Sequence, residues 1–130
     1  MSLNDPLANV LSQISNGERV GKKKCVARNV STLIKAVLSL LKDNGYILDF
    51  KNQKTTKGEK TEILLNGNIN KCGIIKPRFS VKKEDYKKFE KRYLPAKDFG
   101  IIIISTSEGI MTHKVSKEKS FGGRLIAYCY

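Results

Sequence analysis

Gly100-Ile101-Ile102-Ile103-Ile104-Ser105-Thr106-Ser107-Glu108-Gly109-Ile110-Met111 is the stretch whose reading decides the fold. Consecutive β-branched residues with no polar interruption read as a strand buried on both faces. The hydroxyl-rich segment Ser105-Thr106-Ser107-Glu108-Gly109 then reads as the tight turn leaving it, since small polar residues and Gly tolerate turn geometry. Each hydroxyl both donates and accepts hydrogen bonds. Three in a row on a rigid base form a compact surface suited to polar edges, and in a chain with a formal charge of +13 the partner expected there is nucleic acid.

Downstream, Thr112 is placed to cap one or two helical turns running to Lys119, and Gly122-Gly123 reads as unencumbered backbone before a last strand. In that strand Arg124, Ile126, Tyr128 and Tyr130 alternate with Leu125, Ala127 and Cys129, giving one bulky and one small apolar face. Upstream, residues 71–97 hold ten basic and three acidic residues, more than half of the excess charge. Within them Tyr86, Phe89 and Tyr93 share the face of a helix expected from about Ser80 and stopped by Pro95 after Leu94. Rings stacked on bases among basic phosphate contacts would suit RNA. Aromatics at helical spacing more often pack inward, so the favoured reading puts the rings on the sheet and the lysines in solvent.

The first half reads as a helix–sheet module. Asp5-Pro6 opens a helix whose apolar side is Leu7, Val10, Leu11 and Ile14, ended by Gly17. Cys25 to Arg28 is a short strand. Ser31 caps a second helix with the stripe Leu33, Ile34, Val37, Leu38 and Leu41, closed by Asn44-Gly45. Alternating Tyr46, Leu48 and Phe50 predict a strand with one buried face, residues 51–60 a mobile basic loop, residues 61–65 a further strand, and Asn66-Gly67 a turn. The fold class is therefore α+β in two small contacting modules, a helix–sheet module over residues 1–67 and a strand-rich one over 68–130.

With 130 residues, 40% of them hydrophobic, the chain has enough apolar mass for one ordinary domain or two small ones. No apolar run approaches the roughly 20 residues of a membrane span, and no helix joins a large apolar face to a basic one as a membrane-surface binder requires. Met1-Ser2-Leu3-Asn4-Asp5 lacks the order of a secretory signal, which sets a cytosolic expectation. Cys25, Cys72 and Cys129 are odd in number and scattered, which argues for reduced packing thiols; with His113 they would make a zinc set, but none of the paired spacings typical of such sites is present. His113 as a general base beside a cysteine nucleophile is the enzymatic alternative. No phosphate-binding glycine loop, metal signature or carboxylate pair accompanies it, His113 reads as an exposed polar residue, and neither catalysis nor a cofactor is expected.

These residues resemble the small-subunit ribosomal protein eight family. The likeness runs through the chain, from Asp5-Pro6-Leu7-Ala8 and Ile14-Ser15-Asn16 to the 100–111 stretch and Gly122-Gly123. Asn70-Lys71-Cys72-Gly73-Ile74-Ile75-Lys76-Pro77-Arg78-Phe79 looks like the archaeal and eukaryotic branch, and an archaeal source is expected. The resemblance implies two α+β modules docked on an irregular stem in the central domain of small-subunit ribosomal RNA, beside neighbouring small-subunit proteins. It also implies early subunit assembly and, in some members, binding to the protein's own messenger. By that analogy Ser105, Thr106 and Ser107 contact the RNA, with Gly109, Gly122, Gly123 and Arg124 shaping the neighbourhood. Asn4, Asp5, Ser31 and Thr32 add groove and phosphate contacts, and Lys57, Lys76 and Arg78 supply charge. Thr32 stands where members usually carry Lys, Glu108 replaces a frequent Lys, and Arg124 stands where many bacterial members have Glu. Ser116 replaces Ala or Gly, read as a small packing change. A free-standing RNA chaperone or translational regulator outside the ribosome is the alternative within RNA binding.

Overall fold

Pro6 begins α1 (Pro6–Arg19), in which Leu7, Val10, Leu11 and Ile14 are buried along one side as their spacing requires. A computed structural model describes residues 6–28, 30–56, 58–75, 80–96 and 99–130; the expected Asp5 cap lies outside them. Gly17 does not end the helix. It is buried inside it, and a Cβ there would stand 3.0 Å from Leu65 Cδ1, so the glycine lets the helix approach the sheet. α2 (Thr32–Asp43) has the expected Ser31 cap, whose hydroxyl accepts the Ile34 amide at 3.3 Å, and it buries Ile34, Val37, Leu38 and Leu41.

Both helices cover one face of an antiparallel sheet of β1 (Lys24–Arg28), β2 (Ile47–Thr55) and β3 (Gly58–Leu65), ordered β1-β3-β2. Two expectations are corrected there. Register shifts between Ile47 and Asp49, so Leu48 is an extra residue at a bulge. The alternation resets: Ile47 is buried and Leu48 is 60% exposed. Residues 51–55 and 58–60 are not a loop but the facing ends of the two strands of a β-hairpin. In the register Lys51 stands opposite Glu62 and Lys54 opposite Glu59, Glu62 pairs with Lys24 of β1 at 3.3 Å, and Thr61 donates a 2.6 Å hydrogen bond to Asn52. Such cross-strand pairs contribute about 0.2–1 kcal/mol each, which sustains strands without apolar content.

The chain forms two compact units, residues 1–71 and residues 72–130. The second unit is built on β8 (Gly123–Cys129). Antiparallel to it on one side run β4 (Cys72–Ile74) and β5 (Ser80–Val81), and on the other β6 (Ile101–Thr106), which pairs in turn with β7 (Gly109–Thr112). Ile101 to Ile104 are all buried, as the isoleucine run predicts. Ser80 does not begin a helix: it pairs with Arg124 in β5, a 3-10 turn follows at Lys83–Asp85, and α3 spans Tyr86–Tyr93. The ring reading holds, because Tyr86 and Phe89 pack with Ile75, Val81, Leu94, Ile102, Ile104 and Leu125, and Tyr93 lies against the same cluster.

The simple alternation expected for the last strand is also interrupted. Ile103 faces Ala127 while Ile104 faces Leu125, leaving Ile126 as the extra residue of a bulge. Leu125 and Tyr128 consequently join one core face. Thr112 caps α4 (His113–Glu118), accepting the Val115 amide at 3.4 Å. Ser116 is more than a packing change: its hydroxyl lies 2.6 Å from that of Tyr86, which donates to the Phe121 carbonyl at 2.6 Å. The pair locks α3 to α4 through a buried, fully satisfied polar contact.

Candidate nucleic-acid interface

β6 leaves the core at Ser105, the first exposed residue after four buried isoleucines. Thr106 pairs with Gly109, so Ser107 and Glu108 form a two-residue hairpin turn. Gly109 takes φ +116°, a conformation that side-chain-bearing residues resist. The Thr106 hydroxyl closes the turn, donating to the Gly109 carbonyl at 2.8 Å and accepting the Glu108 amide at 3.1 Å. Its donor is thus committed within the hairpin, while Ser105 and Ser107 stand exposed on either side.

The glycine pair supports this tip by its smallness, which corrects the expectation of open backbone. A Cβ on Gly123 would fall 2.3 Å from the Ser105 carbonyl oxygen, and one on Gly122 would fall 2.7 Å from the Val81 carbonyl oxygen. Only bare backbone lets β8 sit this close to its neighbours. Arg124 is directly opposite both Ser105 and Ser80, and all three are exposed. Directly paired residues point to the same side of a sheet. Ser80, Arg124 and Ser105 therefore form a row across three strands, a cation flanked by two hydroxyls, with the hairpin turn beside it. Ser80 was missed from the sequence because its partner strand lies far along the chain. Ser31 and Thr32 are exposed at the start of α2 in the first unit, whereas Asn4, Asp5, Lys57, Lys76 and Arg78 lie outside the described residues.

The chain matches the family model for ribosomal protein S8 over residues 5–130. It belongs to the ribosomal protein S8 family. S8 proteins are ribosomal proteins that bind ribosomal RNA and neighbouring proteins in the small subunit, and the family is one of structural proteins rather than enzymes. Among the described residues no helix is long and apolar enough to cross a membrane, and no three His, Cys, Asp or Glu side chains gather as a metal site.

In this S8 chain His113 is buried rather than exposed, 1% accessible. Its Nδ1 accepts the Ile102 amide at 3.1 Å, completing the β6 hydrogen bonds where β7 gives way to α4. That contact puts the proton of the neutral ring on Nε2, which faces Glu90 Oε1 at 3.3 Å; Lys117 Nζ meets the same oxygen at 2.9 Å. Burial lowers the His113 pKa below its ordinary value, with Glu90 opposing and Lys117 and Lys114 reinforcing the shift. The unfolded chain therefore takes up the proton more readily than the folded one. This contribution to stability is present above the ordinary value of about 6.5 and is lost as pH falls through the lower folded value. Since the chain has one histidine, its imidazole NMR titration is unambiguous. The expected midpoint lies below that of the urea-unfolded chain; an equal or higher midpoint would mean that Glu90 outweighs burial.

Proposed function

We propose that the tip formed by Ser105, Ser107, Gly109 and the Ser80–Arg124–Ser105 row docks on an irregular stem in the central domain of small-subunit ribosomal RNA, in the cytoplasm, and supports subunit assembly. The carrying observation is the exposed hydroxyl pair held on four buried isoleucines and braced by Thr106. A-form RNA hides its major groove and offers 2′-hydroxyls, base edges and distorted loops; short hydroxyl side chains on a rigid base fit such a surface. The +13 charge supplies affinity and encounter rate without selecting a sequence. Ser31 and Thr32 add groove contacts, Gly122 and Gly123 hold the strands close, and Lys57, Lys76 and Arg78 add phosphate contacts. An imitation of the stem in the protein's own messenger would occupy the same tip.

Ser105→Ala and Ser107→Ala remove few packing atoms, so folding should change by no more than about 0.5 kcal/mol. Binding to the cognate stem should fall by about 1–3 kcal/mol each, because the RNA partner is left unpaired in a desolvated contact. Lys57→Ala should chiefly lower the salt slope. Affinities for the central-domain stem and a scrambled stem at two salt concentrations check this. Equal losses on both RNAs, or no loss on the cognate one, would reduce the hairpin to a structural turn.

A further inference from the structure

We infer that Cys72 and Cys129 form a cross-strand disulfide site, a covalent staple between the edge strand β4 and the central strand β8. Both residues are thiols here and both are buried, Cys72 at 7% and Cys129 at 1% accessibility. They are direct partners in the antiparallel register, with Gly73 opposite Tyr128 and Ile74 opposite Ala127. The Ile75 amide donates to the Ile126 carbonyl at 2.9 Å, continuing the same register by one step. Hydrogen-bonded and non-hydrogen-bonded pairs alternate along an antiparallel ladder. Ile75 with Ile126 is hydrogen-bonded, Ile74 with Ala127 is not, Gly73 with Tyr128 is, and Cys72 with Cys129 is not.

That parity decides the chemistry. In a non-hydrogen-bonded pair the Cα atoms stand about 4.5 Å apart and the side chains lean together on one face. A disulfide needs Cα atoms roughly 4.4–6.8 Å apart with Cβ atoms close, so the bond fits this site with little movement of either strand. A hydrogen-bonded pair would hold the two Cβ atoms further apart. Cys25 has no part in this, since it lies in β1 opposite Ile63.

The bond forms by thiol–disulfide exchange with a small disulfide such as oxidised glutathione. Among the described residues β4 is a three-residue edge strand bonded only to β8, so local opening of that edge exposes Cys72 at less cost than opening the sheet. The Cys72 thiolate attacks the glutathione disulfide, giving a mixed disulfide and one glutathione thiolate. The Cys129 thiolate then attacks the Cys72 sulfur, forming the Cys72–Cys129 bond and expelling a second glutathione thiolate. Two protein thiols are oxidised and one glutathione disulfide is reduced. The closed loop spans nearly the whole of residues 72–130, and a long loop loses much unfolded-state freedom when it is closed. The second unit should therefore unfold at a higher temperature when oxidised, by on the order of 10 °C.

The test incubates the whole chain with oxidised glutathione at a temperature where amide exchange shows the β4 edge opening, then maps alkylated peptides by mass and records thermal unfolding with and without reductant. The expected product lacks two hydrogens, joins the peptides containing Cys72 and Cys129, still forms in Cys25→Ser, and melts higher until reduced. Cys72→Ser and Cys129→Ala should each abolish it. Glutathione adducts that persist at Cys72 or Cys129 without resolving, a crosslink involving Cys25 instead, no crosslink despite edge opening, or a lower melting temperature after oxidation would each overturn the assignment.

Discussion

Ile102→Ala is expected to destabilise the second unit by about 2–5 kcal/mol, the range for removing a large aliphatic side chain from a packed core. Ile102 is fully buried and lies in the cluster that holds Tyr86, Phe89, Leu94 and Leu125. Its neighbours come from α3, β6 and β8, elements fixed by separate hydrogen bonds, so the walls cannot collapse freely into the space left. The measurement is urea unfolding followed by tyrosine fluorescence. Of the five tyrosines, Tyr86, Tyr93, Tyr128 and Tyr130 belong to this unit and there is no tryptophan to obscure them. A cost below about 1 kcal/mol, nearer that of a conservative Ile→Val change, would show that β6 is not the rigid base that the hairpin tip requires.

Gly123→Ala should be nearly as damaging, although it adds only one methyl group. The added carbon would lie 2.3 Å from the Ser105 carbonyl oxygen and 2.9 Å from Ile104 Cγ2. The first obstacle is backbone and cannot rotate away, so β8 and β6 must separate at the point where Arg124 faces Ser105. Overpacking of this kind costs about 1–3 kcal/mol and occasionally more. The effect should spread to function: binding of the cognate stem should fall even in the temperature range where the variant is still folded, because Ser105 and Arg124 lose their registry. Thermal unfolding together with stem binding well below the midpoint checks both parts. Normal stability would contradict the close approach, and normal affinity in a destabilised variant would separate the strand contact from RNA recognition.

Those two residues also show what a sequence can disclose. Ile102 was legible because a run of β-branched side chains carries its own environment: no partner need be known to see that it must be buried. The hairpin turn after it was legible for the same local reason. Gly123 was visible only as a glycine, since the Ser105 carbonyl that forbids a side chain comes from a different part of the chain. The polar ends of the hairpin strands, residues 51–55 and 58–60, were hidden likewise, because Lys51 and Lys54 look like loop lysines until Glu62 and Glu59 stand opposite them. Leu48 and Ile126 mislead any strict alternation, as a bulge leaves no mark in composition. Ser80 escaped the candidate site for the reason that β5 has two residues and borrows its identity from β8. His113 looks exposed in sequence because a polar residue at a helix start is usually wet; here it fills the backbone bond that β7 vacates.

The place of β8 in the sheet has a bearing on how the chain is made. The first unit has its three strands once residue 65 has been synthesised, and domains fold as units from the N-terminal side during synthesis. The second unit is different, since β4, β5 and β6 all bond to β8, which is the last of its elements to be translated. Until then the apolar β6 strand, with β7 on one side only, presents an open edge of the kind that recruits other chains. Completion of this unit therefore waits until β8 has been translated, and during that interval the +13 charge opposes contact between copies.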